Sequence, residues 1–91
     1  MHYVYVLCST NKHWIYIGCT DDLKARYQRH EKGEVFSTKP HRPLKLIYYE
    51  SYLNKSDALA REYKLKHHSQ TRELLYQQLE QSIILALSSN G

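Results

Sequence analysis

Apolar and polar positions alternate with a period of two along Tyr3–Cys8, YVYVLC. That period is the signature of a half-buried strand, and the residues are strong strand formers. Tyr3, Tyr5 and Leu7 face one way, and Val4, Val6 and Cys8 the other. The polar stretch Ser9–His13 is turn-prone, and Trp14–Cys19, WIYIGC, returns as a second strand. A β-hairpin follows. If the wholly apolar set Val4, Val6, Ile15 and Ile17 faces the main core, Tyr5 and Tyr16 share the opposite face. Gly18 ends the strand or admits a close approach.

The pattern then changes to a helical one. Asp21–Lys32 reads as a first helix, with acids at its N-terminus, Leu23 and Tyr27 four apart, and Gly33 as its stop. Glu34–Pro43 is a long loop, of a length that often carries function. Leu44–Tyr52, LKLIYYESY, is a third strand. Lys55–His67 is a second helix, capped by Asn54 or Ser56, with Ala58, Glu62 and Leu65 on one face. Glu62 is thus a carboxylate in an apolar stripe. Ser69 or Thr71 starts a last helix to Leu87, whose Leu74, Leu75, Leu79, Ile83 and Leu87 recur at helical spacing. Ser88–Gly91 is expected to fray. The order β-β-α-β-α-α predicts one α+β domain, residues 1–91, with a small, largely antiparallel sheet of three strands flanked by helices.

Charge sharpens this picture. Residues 1–72 hold all 13 Lys and Arg against seven acids, a charge of +6, whereas residues 73–91 hold only Glu73 and Glu80. A basic body suits a polyanion, because phosphate contacts dominate nucleic-acid affinity; plain solubility is the bland alternative. The loop basics Lys39, His41 and Arg42, with Lys45 just beyond, are placed to track a nucleic-acid backbone without reading its sequence. No recognition module such as a zinc finger is evident, so a protein partner for targeting is one expectation. Cys8 and Cys19, with no four-ligand zinc pattern around them, read as small core hydrophobes. MHYVYVL lacks the form of an export signal, and the longest apolar run, Ile83–Leu87, is far short of the about 20 residues that span a bilayer. The expectation is a cytoplasmic protein.

The chemistry gathers in Trp14–His30. Arg26 and His30 lie four apart on one helical face, directly after the strand that carries Tyr16. A phenol, a guanidinium and an imidazole in one strand and one helix suit chemistry on a phosphate. The alternatives are ordinary: Arg26 paired with Asp22, His30 as a surface histidine in the last helical turn, and Glu62 paired with Lys66.

These pieces resemble the GIY-YIG nucleases, and most closely the small stand-alone bacterial members, similar to the N-terminal domain of an excision-repair nuclease. YVYVL at 3–7, WIYIG at 14–18, LKARYQRH at 23–30, LKLIYYE at 44–50 and SDALAREYKLK at 56–66 occur in the family's order and spacing. The resemblance spans residues 2–68. It implies metal-dependent cleavage of a DNA phosphodiester, in repair or recombination, with one Mg²⁺ or Mn²⁺. The motif tyrosines fall on Tyr5 and Tyr16, the motif glycine on Gly18, the helical arginine and histidine on Arg26 and His30, and the metal-binding glutamate on Glu62. Val4-Tyr5 replaces Ile-Tyr of the first motif, Tyr3 replaces its glycine, and an asparagine that some relatives carry late in the domain has no match. On this resemblance Tyr5 would be the general base. A phenol has a pKa of about 10, so it would need a nearby charge, with Lys12, Arg26 and His30 as candidates. Tyr16 would hold the water or a phosphate oxygen, and Arg26 would clamp the phosphate. Two other readings compete: a nucleic-acid-binding module without catalysis, and an interaction protein that dimerises through its C-terminal helix.

Overall fold

The computed structural model describes residues 1–88. The sheet is antiparallel throughout, with β1 (His2–Ser9) between β2 (Ile15–Thr20) and β3 (Leu44–Tyr52). Register follows the predicted hairpin: Tyr5 lies opposite Gly18 and Leu7 opposite Tyr16. Cys8 pairs with Ile15 and Cys19 with Val4, so the two thiols sit at opposite ends of the hairpin and are both free. Strand β2 runs on to Thr20, so Gly18 does not end it.

The alternation divides the molecule into two layers. Val4, Val6, Cys8 and Ile17 join Ala58, Leu65, Leu75, Leu79, Ile83 and Ala86 in the main core, beneath α2 (Lys55–His67), α3 (Ser69–Gln78) and α4 (Glu80–Ser88). Tyr5, Leu7 and Leu44 form a second cluster on the other face, where Leu23 and Tyr27 of α1 (Leu23–Glu31) cover it with Trp14 and Tyr16. Because β1 is central, its side chains from Val4 to Ser9 are buried on both faces. The aromatic positions at 5 and 16 therefore lie under α1, while the apolar set lies under α2.

Helix α1 begins at Leu23, two residues later than expected, because the Asp22 carboxylate caps it by accepting from the Ala25 N–H at 3.1 Å. It stops as predicted. Gly33 takes φ +76°, and the bonds Gly33 N–H to His30 C=O (3.1 Å) and Glu34 N–H to Arg29 C=O (2.9 Å) form the Schellman pattern. Asn54 caps α2 through the Ser56 N–H at 2.8 Å.

The single helix expected over Thr71–Leu87 is two, α3 and α4, separated by Leu79. Leu75, Leu79 and Ile83 recur every four residues, and in a 3.6-residue helix such a row drifts around the axis. A break at Leu79 re-aims the chain and keeps Leu79, Ile83 and Ala86 in the core. Glu80 then stands in the first turn of α4, where the helix dipole favours it. Leu74, placed in the apolar face by periodicity, is 62% exposed, since it points about 100° from Leu75. The fraying expected for Ser88–Gly91 concerns residues 89–91, outside the described residues; Ser88 closes α4. Among the described residues no helix is long and apolar enough to cross a membrane.

Candidate functional site

Four of the predicted site residues meet on the α1 face of the sheet. The Tyr5 hydroxyl lies 2.8 Å from His30 Nε2 and accepts from Arg26 Nε at 3.3 Å. The rings of Tyr5 and Tyr16 are 6.2 Å apart, and Tyr16 meets the His30 ring edge-on at 5.3 Å. The local cause is plain. The pleat puts Tyr5 and Tyr16 on one face, and the four-residue spacing of Arg26 and His30 aims both at them. Neither ordinary reading of these helical residues holds. His30 is fully buried, and the Asp22 carboxylate, the alternative partner of Arg26, caps α1.

Gly18 completes this arrangement differently from expectation. A Cβ built there would stand 2.5 Å from both Cζ and the hydroxyl of Tyr5. The close approach that glycine permits is made by the Tyr5 phenol.

Electrostatics bear on the role expected of Tyr5. Its phenol is 1% exposed, and burial pushes its pKa up to about 12, despite the opposing hydrogen bond from Arg26. The cation that bears on Tyr5 is Arg26, whose own pKa is raised, first by that hydrogen bond. Lys12, a candidate for this task, lies in the hairpin turn, where its charge bears on His41. His30 is pushed down to about 4, first by burial and then by the charges of Arg26 and Arg29. At neutral pH the pair is a neutral phenol beside a neutral imidazole. Tyr16, unlike Tyr5, is only half-buried.

A stability prediction follows from His30. Its folded pKa is about 4 against 6.5 unfolded, so its contribution is complete above pH 6.5 and is lost as pH falls toward 4. At pH 5 the unfolded chain holds a proton that the folded one refuses, a loss on the order of 2 kcal/mol relative to pH 7. Urea midpoints should fall between pH 7 and pH 5, and His30→Gln should flatten that fall. Equal pH slopes in the two proteins would refute the assignment.

Glu62 approaches from the other layer. It is half-buried on α2, and its Oε2 lies 3.2 Å from Lys66 Nζ, the predicted i, i+4 pair. It also lines an open cleft of about 560 Å³ together with Arg26, Arg29, Asp22, Lys55 and Thr20, at the edge of β2 between α1 and α2. Lys66 extends the link, since its Nζ stands 5.7 Å from the centre of the Tyr16 ring. The carboxylate and the guanidinium thus share one opening although they come from opposite faces of the sheet. Among the described residues no three His, Cys, Asp or Glu side chains gather as a metal site. A single carboxylate donor in a wet cleft suits a hard ion that keeps most of its waters, as Mg²⁺ and Mn²⁺ do.

The loop basics have more local tasks than expected. Arg42 Nη1 donates to the Glu31 carbonyl at 3.3 Å, so it serves the C-terminus of α1. His41 stacks flat on Trp14, with ring centres 3.6 Å apart and planes at 5°. Lys12, Lys39, Arg42 and Lys45 are exposed. Trp14 also stacks on Tyr16 at 6.2 Å, so this patch borders the site.

Two features escaped the sequence reading. Thr38 is fully buried, and its Oγ1 lies 2.7 Å from His30 Nδ1. Glu50 receives Arg61 Nε at 2.9 Å and Arg61 Nη2 at 3.0 Å, with Tyr48 donating at 2.6 Å and Tyr52 donating beside it. That network ties β3 to α2 at the residue before Glu62. The acid of LKLIYYE and the Arg61-Glu62 dipeptide were its only traces in the sequence.

The arrangement of hairpin, α1 and α2 has a counterpart in known proteins. The family model for the GIY-YIG catalytic domain matches residues 1–77. The chain belongs to the GIY-YIG family. It is also similar to the UPF0213 proteins of Staphylococcus aureus strains Mu3 and COL, each 39% identical over 75 residues that cover 80% of this chain and 89% of the relative. No solved structure matches. The predicted family and α+β fold are therefore both borne out, with a C-terminal helix divided in two. A GIY-YIG domain is of nuclease type, and it implies DNA as the substrate.

Proposed function

We propose that this GIY-YIG protein is a metal-dependent DNA endonuclease or nickase. The observation that carries the reading is the cleft at the β2 edge, where Arg26, pinned through Nε by Tyr5, and Glu62 line one opening. Arg26 would grip the scissile phosphate, a task that suits a planar guanidinium. Glu62 would hold the ion, with water and substrate phosphate filling the remaining positions. When bound, Mg²⁺ or Mn²⁺ would supply charge neutralisation and an acidified water. Tyr16, the half-buried phenol of the pair, would accept a hydrogen bond from the attacking water and aim it at phosphorus. Tyr5 would work from beneath by orienting Arg26, with His30 as the acceptor for its proton. Cleavage adds one water across the bond: one P–O bond forms, another breaks, and the leaving oxygen ends as a hydroxyl. Lys12, Lys39, Arg42 and Lys45, beside the Trp14–His41 stack, would hold the flanking backbone with little reading of sequence. A repair or recombination setting in the cytoplasm, with a partner for targeting, accords with such a weakly discriminating surface.

The test is relaxation of supercoiled plasmid. Nicking is expected with Mg²⁺ or Mn²⁺, and none with EDTA. Tyr5→Phe should slow it by roughly 10–100-fold, because it leaves Arg26 Nε and His30 Nε2 unmatched. Plasmid binding with no metal-stimulated nicking would establish the non-catalytic module instead.

A further inference from the structure

The loop at 34–43 was expected to face outward to DNA, yet one of its side chains points to the centre of the site. Thr38 is fully buried, as is His30, and Tyr5 is 1% exposed. Between Arg26 and the Val35 carbonyl these three side chains form an unbroken series of contacts: 3.3 Å from Arg26 Nε to Tyr5, 2.8 Å from Tyr5 to His30 Nε2, 2.7 Å from His30 Nδ1 to Thr38 Oγ1, and 3.4 Å from Thr38 to Val35.

Hydroxyls and a neutral imidazole each have two orientations, so in isolation the middle of this chain has no direction. Its ends do. A guanidinium can only donate, and a backbone carbonyl can only accept. One sense therefore gives every hydroxyl and ring proton of the series an acceptor, whereas the reverse leaves the Tyr5 O–H without one among these groups. Arg26 Nε–H donates to Tyr5, Tyr5 O–H to His30 Nε2, His30 Nδ1–H to Thr38 Oγ1, and the Thr38 hydroxyl to Val35. Each of these donors is used once, and Tyr5, His30 and Thr38 are buried.

We propose that Thr38 is a positioning residue of this site: by taking the Nδ1 proton of His30 it fixes the imidazole tautomer, turns the Tyr5 proton away from Arg26, and leaves the Tyr5 oxygen open to pin Arg26 through Nε. Without the Thr38 hydroxyl, His30 can turn its proton to Nε2. Tyr5 O–H then loses its acceptor, beside a Gly18 so close that there is no room to rearrange. The guanidinium loses its fixed aim. Neutral His30, held so by burial and by Arg26 and Arg29, is the state in which the tautomer matters. The Glu34–Pro43 loop thus enters the site through Thr38, next to the exposed Lys39. The effect on cleavage rests on the nuclease reading above; the chain itself does not.

The experiment compares wild type, Thr38→Val and Thr38→Ser, each checked for a cooperative thermal melt. ¹⁵N NMR reads the His30 tautomer, and hydrogen exchange reads Arg26 Nε–H. Wild type should carry the proton on Nδ1 with a protected Nε–H. Thr38→Val should move the proton toward Nε2 and speed Nε–H exchange by about tenfold or more. In plasmid nicking it should lower kcat by about 10–100-fold with KM for DNA nearly unchanged. Thr38→Ser, which keeps the hydroxyl, should stay near wild type in all three. Should Thr38→Val not fold, Thr38→Ala is read in the same way. Wild-type His30 protonated on Nε2 overturns the chain. A tautomer shift with unchanged Arg26 exchange, or with unchanged kcat in an active protein, overturns the positioning role. A wild type that shows the expected tautomer and exchange but never nicks plasmid fails the nuclease reading and leaves the Thr38 inference standing.

Discussion

Glu62→Ala should reduce metal-stimulated plasmid nicking by about 1000-fold, while Lys66→Ala should leave it within about tenfold of wild type. The contrast matters because the two side chains are partners, 3.2 Å apart on α2. A partly exposed i, i+4 pair on a helix is worth a few tenths of a kcal/mol, so neither variant should move the urea midpoint appreciably. If Glu62 did no more than pair with Lys66, both variants would behave alike. If it holds the ion beside Arg26, its loss removes several kcal/mol of charge stabilisation from the transition state, and about 4 kcal/mol is 1000-fold in rate. Lys66 has its own smaller effect through the Tyr16 ring, 5.7 Å away, which in an exposed setting is worth about 0.5–1 kcal/mol. The measurement is initial nicking rate against Mg²⁺ concentration for the three proteins. Equal losses in both variants would reduce Glu62 to a helix-surface residue.

Period-two alternation in YVYVLC and WIYIGC was enough to separate the two faces of the sheet, and hence to place Tyr5 beside Tyr16, because β1 is central and each face has its own helical cover. Helical spacing likewise set Arg26 and His30 on one side of α1. These are local regularities, and they survive folding. What escaped depends on where distant pieces of chain meet. Thr38 finds His30 only because the loop after Gly33 folds back beneath α1, and nothing in EVFSTKPHRP marks its threonine as buried. Arg42 reads as a phosphate contact because it is basic and lies in a proline-containing loop, and the same return path also brings it to the Glu31 carbonyl, which the sequence does not show. The break at Leu79 was hidden for the opposite reason. Its leucines are so regularly spaced that they predict a continuous helix, although a four-residue row cannot stay on one flat core. Tyr5 shows the limit most clearly. Its motif position marks it as important, but its burial and its links to both His30 and Arg26 emerge only in the folded chain.

That burial leaves no room for a side chain at Gly18. Gly18→Ala should destabilise the protein by about 2–4 kcal/mol, a large share of the about 5–15 kcal/mol that holds a small domain together. The added methyl would lie 2.5 Å from the Tyr5 hydroxyl and from Cζ, and 2.9 Å from Cε1. A flexible side-chain tip would move aside at little cost. This one is fixed by His30 at 2.8 Å and Arg26 at 3.3 Å, and its ring is buried against Leu7 and Leu44. If Tyr5 yields, buried donors and acceptors are left unmatched; if the backbone yields, β2 loses register with β1. Either route disturbs Arg26, so nicking by the folded fraction should fall as well. A double-mutant cycle separates this clash from a general intolerance of side chains in β2. Tyr5→Leu alone leaves a cavity and unsatisfied partners, but in the Gly18→Ala background it also relieves the overlap. Urea unfolding of the four proteins should give a coupling above about 1 kcal/mol, with the double variant more stable than the sum of the single losses. Additive losses would mean that Gly18 is needed for some reason other than the phenol it faces.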